Sequence, residues 1–189
     1  MRVADIDSES DAIACRIDDR GHLAVAIDRP DRHNAIDDAV RGEIRHLLDA
    51  ADDDEVRCVT FEGTGDAAFS AGADVDSVAE RTPAEAIDVT PLYEVVAEYP
   101  RPTLAAIRGY CLGGGHELAL ACDLRVATPA ATFAESGVSL GLFGAWGGTA
   151  RLPEVVGEGV ALDIALSGRV LSAVEAKAVG LLTRVVEDP

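Results

Sequence analysis

Glu117 is the residue whose neighbours best suit it for chemistry. It follows Gly113, Gly114 and Gly115 with only His116 between. Three consecutive glycines suit a backbone that turns sharply and lets a ligand approach closely. Residues 118–122 then read as the first turns of a buried helix. A helix starting at about Gly115 aims its unpaired N–H groups and its positive dipole end into the glycine loop. Helical side chains lean toward the N-terminus, so Glu117 can reach the same spot. The pattern is an anion-stabilising loop with a proton-carrying carboxylate beside it. The same residues also fit a plain glycine turn whose Glu117 serves only the helix dipole, because an isolated glycine motif is weak evidence.

The other reactive residue types point nowhere so definite. Cys15, Cys58, Cys111 and Cys122 form no C-x-x-C pair and sit in apolar contexts, as small buried hydrophobes do. His22, His33, His46 and His116 lack metal-ligand spacing, so no metal is expected. The net charge of −18 argues against nucleic acid or an anionic membrane as partner. The basic residues are 15 Arg and the single Lys177, against 34 acids. That balance resembles proteins of extreme halophiles, whose salt screens the self-repulsion. A chain of 189 residues, 48% hydrophobic, fits one domain with a sizeable core. No apolar run approaches the ~20 residues of a membrane span, and the acidic N-terminus lacks a signal-like apolar region. A cytoplasmic protein is expected.

The elements that must position Glu117 alternate along the chain. Residues 1–12 read as an acidic flexible tail and 13–189 as one core domain. Residues 13–17 and 23–27 flank Gly21 as a β-hairpin. A polar loop over 28–35 leads to a helix that Asp37 caps and that runs to about Ala51, with Val40, Ile44, Leu47 and Leu48 on one face. Residues 56–61 look like a buried strand. Residues 63–74 read as a loop, with Asp74 as N-cap of a short helix. Residues 83–99 read as mainly helical with a break at Pro91. Residues 103–107 form the strand that delivers the chain to the glycines. Strands over 123–127 and 182–186, an extended piece at 132–133, and helices opening near Arg151, over 159–166 and over 173–179 complete an α/β protein with short strands. Gly168 is the C-cap of the second of these helices, and Ser172 caps the last.

Several stretches together resemble the enoyl-CoA hydratase/isomerase (crotonase) family. They are Phe69-Ser70-Ala71-Gly72-Ala73-Asp74, then Gly109-Tyr110-Cys111-Leu112-Gly113-Gly114-Gly115-His116-Glu117, then Trp146-Gly147-Gly148-Thr149-Ala150-Arg151-Leu152-Pro153. Arg29-Pro30 with Asn34-Ala35, and Gly168 with Ala176-Val179-Gly180-Leu181, are similar too, all in order from about Ile13 to Val186. The resemblance implies a crotonase-like ββα superhelix, with two roughly perpendicular sheets and helices outside. It implies an acyl-CoA thioester substrate of the kind met in fatty acid metabolism, no separate cofactor because coenzyme A is part of the substrate, and a homo-oligomer, trimer or hexamer. It implies that the backbone N–H groups of Ala73 and Gly114 stabilise a thioester enolate. Fixed dipoles in a dry site stabilise charge that appears only during reaction. Ala71, Gly72, Asp74 and Gly113 would line the same substrate site, and the segment holding Arg29 and Ala35 would line the coenzyme A site, with Arg29 or Arg32 near its phosphates.

Two departures from the family pattern bear on activity. Hydratases of the family carry a second glutamate twenty residues after the first, where this chain has Gly137. Hydration needs a base for water and an acid for the α-carbon, so Glu117 alone suits isomerisation or decarboxylation better. Glu135 lies two residues earlier. In an extended segment that is a displacement of about 6.5 Å, so it compensates for Gly137 only if the backbone shifts, and it is otherwise expected to be solvated or to make an unrelated hydrogen bond. Ser136 and Ser139 can hold a water but are no base unaided. His116 points about 100° away from Glu117 on the helix and reads as a residue that packs or supports the site through a neighbour. The family also continues past the position of Val186 with helices that cover the acyl pocket, a segment this sequence does not include. The competing reading is an acyl-CoA-binding paralogue or partner subunit with little catalysis.

Overall fold

Short apolar stretches that alternate between two sheets account for the architecture of the computed structural model, which describes residues 11–51, 55–79 and 91–189. The hairpin forms as expected. β1 (Ile13–Ile17) pairs antiparallel with β2 (His22–Ile27), with Ile13 opposite Ile27 and Ile17 opposite Leu23. Its turn requires Gly21, because a β-carbon there would lie 2.5 Å from the Glu55 carbonyl oxygen at φ +80°. In α1 (Asp38–Ala50), Asp37 caps the helix by accepting the Val40 N–H at 2.9 Å. The apolar stripe of α1 is buried at Val40, Ile44, Leu47 and Leu48.

After α1 the chain repeats a strand–strand–helix unit. β3 (Cys58–Gly63), β4 (Ala68–Ser70) and α2 (Val75–Ala79) come first. After α3 (Pro91–Ala97) come β5 (Thr103–Ile107), β6 (Tyr110–Leu112) and α4 (Gly114–Ala121). β7 (Leu124–Ala127), β8 (Thr132–Ala134) and α5 (Gly148–Val156) follow, then α6 (Glu158–Ser167), β9 (Leu171–Ser172), α7 (Ala173–Ala178) and β10 (Arg184–Val185). The first strand of each unit joins a sheet of order β1-β2-β3-β5-β7-β10, and the second joins a sheet of order β4-β6-β8-β9. Leu23, Val25, Phe61, Ile107, Phe69, Phe133 and Leu118 are buried from these elements.

This topology builds the site. β4, β6 and β8 run parallel to one another. Their C-terminal ends therefore open on one edge of the smaller sheet, as in other α/β sheets that bind ligands at strand ends. Residues 71–74, 113–117 and 135–137, far apart in sequence, leave the three strands side by side.

The structure departs from the sequence reading mainly in this smaller sheet. β4 lies inside residues 63–74, read as loop, and β6 lies just before the glycines, where the sequence offered no strand. Strands of two or three residues show no readable alternation. β3 begins at Cys58 rather than Val56, because its ladder with β2 starts where Cys58 meets His22. α4 starts at Gly114 and α5 at Gly148. Residues 83–90 of the expected helix over 83–99, and residues 1–10 of the expected tail, lie outside the described residues. Among the described residues no helix is long and apolar enough to cross a membrane.

Candidate active site

The residues after β4 are pinned by the polar loop that precedes α1. Ala71 donates its N–H to the His33 carbonyl, Gly72 to Ser70 Oγ, and Asp74 to the Ile36 carbonyl, while Ile36 donates to the Gly72 carbonyl. Ala73 is the one residue of 71–74 whose N–H has no acceptor among the described residues. Buried Asn34 fixes the loop that does the pinning. Its side chain accepts from the Arg29 N–H at 3.0 Å and donates to the Ala68 and Thr64 carbonyls at 2.7 and 3.1 Å. His33 and Asn34 both take positive φ, 50° and 55°, a conformation Asn tolerates better than most residues.

The second loop follows β6. The Gly113 N–H donates to the Ala134 carbonyl, and Gly114 opens α4, so its N–H has no acceptor within the helix. A β-carbon on Gly114 would lie 2.8 Å from the Trp146 ring and 3.2 Å from the Ala73 nitrogen; one on Gly115 would lie 2.5 Å from the Ser70 carbonyl oxygen. Two of the three glycines are therefore demanded by close approach, and the free N–H groups of Ala73 and Gly114 are brought to neighbouring loops.

Trp146 is held on two sides. Its ring stacks on Tyr93, with centroids 5.4 Å apart, and the Arg41 guanidinium lies 5.5 Å from the ring centre. Its backbone N–H donates to Glu117 Oε1 at 2.7 Å, and the Gly148 N–H donates to the same oxygen at 2.9 Å. Glu117 is only 4% exposed. Burial pushes its carboxyl up and the charge of Glu135 adds to that. The Gly148 and Trp146 N–H groups and Arg151 oppose, and the result stands at about 8.

Of the two roles expected for Glu135, the structure shows the hydrogen bond and not solvation: it is 6% exposed, and its Oε1 lies 2.8 Å from Nδ1 of fully buried His116. The extended geometry assumed for residues 135–137 does not hold. β8 ends at Ala134, Glu135 takes φ −85° and ψ 74°, and Ser136–Leu140 form a 3-10 turn. His116 is a packing residue as expected, resting edge-on against Phe133, and it also reaches Glu135 across nineteen residues of sequence. No local signal could have shown that bond.

A cavity of about 160 Å³ gathers these groups. Ala71, Gly72, Ala73, Gly113, Gly114 and Glu117 all line it, with Glu135, Gly137 and Trp146, and exposed Leu140 and Phe143 give it an apolar lip. Arg29, Ala35 and Asp74 do not line it. Arg29 donates to the Ala35 carbonyl at 2.7 Å and pairs with Asp37 and Asp74. Asp74 also takes Arg32 at 2.9 Å. Burial pushes the Asp74 carboxyl up, but Arg32 and Arg29 outweigh it and hold it below the usual range. Among the described residues no group of His, Cys, Asp or Glu is placed to hold a metal ion.

Residues 19–188 match the family model described as Enoyl-CoA hydratase/isomerase. The chain belongs to the enoyl-CoA hydratase/isomerase family. It is 36% identical over 165 residues to a probable enoyl-CoA hydratase, echA8, of Mycobacterium bovis, covering 86% of this chain and 64% of that protein. It is 36% identical over 166 residues to a crotonyl-CoA hydratase of Syntrophomonas wolfei, covering 85% and 64%. The crystal structure of an enoyl-CoA hydratase from Bacillus anthracis superposes with a TM-score of 0.88 at 33% identity, over 93% of this chain and 70% of that one. The chain thus spans slightly under two thirds of the length of these two curated relatives. Within the hydratase/isomerase fold, the cavity lies where the strand–strand–helix units converge.

Proposed function

We propose that this chain acts on acyl-CoA thioesters by stabilising an enolate. The thioester oxygen sits between the N–H groups of Ala73 and Gly114, and Glu117 carries the proton to or from the α-carbon. The observation that supports this most directly is the cavity itself. It combines two N–H groups that lack acceptors among the described residues with one buried carboxyl raised to about 8. Each donor to the developing oxyanion contributes about 2.7–4 kcal/mol of transition-state stabilisation in comparable sites. Near neutrality Glu117 exchanges a proton readily in either direction, as an acid–base group should. The relatives' names, enoyl-CoA hydratase and crotonyl-CoA hydratase, support the substrate class.

The apolar lip of Leu140 and Phe143 suits the acyl chain. Arg29 pairs with Asp37 and Asp74 and Arg32 with Asp74 and Asp76, so exposure separates them, and half-exposed Arg32 is the better candidate for the coenzyme A phosphates. Leu162 and Leu166, one turn apart on α6, are both exposed and suit self-association, which sedimentation tests.

The deciding experiment incubates the protein with butyryl-CoA in D₂O and follows α-proton exchange by NMR. Exchange that disappears in Glu117→Gln is the expected result. Tight binding without exchange in the unmodified protein would reduce the role to binding. Ala73 and Gly114 act through backbone groups and are tested through their surroundings, as Gly114→Ala below.

A further inference from the structure

We propose that Glu135, held by His116, is the second proton-transfer group of this site, in place of the carboxylate that position 137 lacks. This rests on the enolate reading above and extends it from α-proton exchange to the addition of water.

The geometry brings two carboxyl groups to one wall of the cavity. A β-carbon built on Gly148 would lie 3.2 Å from Glu117 Oε1 and 3.1 Å from Glu135 Oε1, and one on Gly144 would lie 3.2 Å from Glu135 Oε2. Gly144 and Gly148 thus leave room for both acids, and Glu117 and Glu135 line the same cavity as Ala73 and Gly114. Two buried carboxyl groups lining one cavity are unfavourable unless one is neutral or partnered. Here Glu117 takes the Trp146 and Gly148 N–H groups, and Glu135 takes His116. Among the described residues His116 Nε2 has no partner although it is fully buried. Among those residues the imidazole therefore has no competing bond at Nε2, and its Nδ1 is committed to Glu135.

The environments separate the two acids. Burial and the Glu135 charge favour the neutral form of Glu117, whereas His116 offers Glu135 a donor. Other groups that bear on the pair are Tyr93 on α3, Arg41 on α1, Arg151 on α5 and Cys111 on β6. Burial pushes Tyr93 and Cys111 well up, so both stay protonated and take no part in proton exchange. In hydration the water oxygen bonds to the β-carbon while its proton passes to Glu135. The C=C electron pair moves into the thioester enolate held by Ala73 and Gly114. Glu117 then gives its proton to the α-carbon. H and OH have been added, and one proton moving from Glu135 to Glu117 restores the site.

Two assays separate this from the enolate reading: hydration of crotonyl-CoA, and α-proton exchange of butyryl-CoA. The unmodified chain is expected to do both. Glu135→Gln should lower hydration kcat about 100-fold or more, while exchange persists with its pH profile moved to lower pH because the Glu135 charge no longer raises Glu117. His116→Leu should behave like Glu135→Gln. His116→Asn, whose amide can donate in place of Nδ1, should recover most of the hydration, with its pH profile shifted. The proposal is overturned if Glu135→Gln hydrates normally, if it loses exchange along with hydration, or if the unmodified chain exchanges but never hydrates. Should Glu135→Gln lack a cooperative melt, equal hydration by His116→Leu and His116→Asn overturns it instead. Absence of both binding and exchange in the unmodified chain would overturn the enolate reading and this proposal together.

Discussion

The Trp146 ring occupies the space that a side chain on Gly114 would need, with Cζ3 2.8 Å from where that β-carbon would sit. The same residue donates its backbone N–H to Glu117. One tryptophan therefore sets both the closeness of the glycine turn and the position of the carboxyl. It has little freedom to yield, being stacked on Tyr93 with Arg41 over its ring.

Gly114→Ala is expected to push Trp146 away and displace the Gly114 N–H from its place beside Ala73. Butyryl-CoA exchange should fall by about 100-fold or more, and overpacking should cost about 1–3 kcal/mol, read by thermal melting. Gly42 on α1 has no atom within 4 Å of its β-carbon position. Gly42→Ala should therefore stabilise by about 0.5–1 kcal/mol with exchange untouched. Equal behaviour of the two variants would rule out the steric account.

Glu117 makes stability depend on pH in a definite direction. Its carboxyl is raised from 4.5 to about 8 in the folded chain, so between those values the folded state holds a proton that the unfolded state has released. The stability linked to this proton is fully present below the unfolded value and is lost as pH rises through about 8. Glu117→Gln cannot ionise and still offers an oxygen to Trp146 and Gly148. Its Tm advantage over the unmodified chain should grow from pH 5 to about pH 8 and then level off; a constant difference would refute the raised carboxyl. Exchange, which needs the ionised form, should climb about tenfold per pH unit and level off near 8.

Asn34→Ala tests the scaffold behind Ala73. It strips partners from the Ala68 and Thr64 carbonyls and the Arg29 N–H, and alanine tolerates φ 55° poorly. A loss of about 2–4 kcal/mol is expected, with weaker exchange because residues 71–74 lose their backing. Unaltered Tm would show that the loop carries no such constraint.

Salt should stabilise the chain. With a net charge of −18, self-repulsion reaches about 10 Å in 0.1 M salt and about 3 Å in 1 M. Tm is expected to rise markedly between 0.1 and 2 M KCl. A flat response would mean that ion pairs such as Arg32–Asp76 and Arg151–Glu94 already balance the surface.

The sequence by itself determined the pieces that depend on local chemistry and periodicity. These include the hairpin at Gly21, the α1 stripe and its Asp37 cap, the Ser172 cap, the glycine turn into α4, and the family. All of them are written in neighbouring residues, because caps, turns and helical faces are decided within about four positions. What only the tertiary structure decided is which distant residues meet. β4, β6 and β8 are too short to carry a period, yet their parallel pairing sets residues 71–74, 113–117 and 135–137 on one edge. That pairing decides between solvation and a hydrogen bond for Glu135, making it a buried partner of His116, and it brings the Trp146 backbone to Glu117. Burial and like charge across that edge then raise Glu117 to about 8. Neither desolvation nor the charge of a residue eighteen positions away can be read from the glycines that precede it.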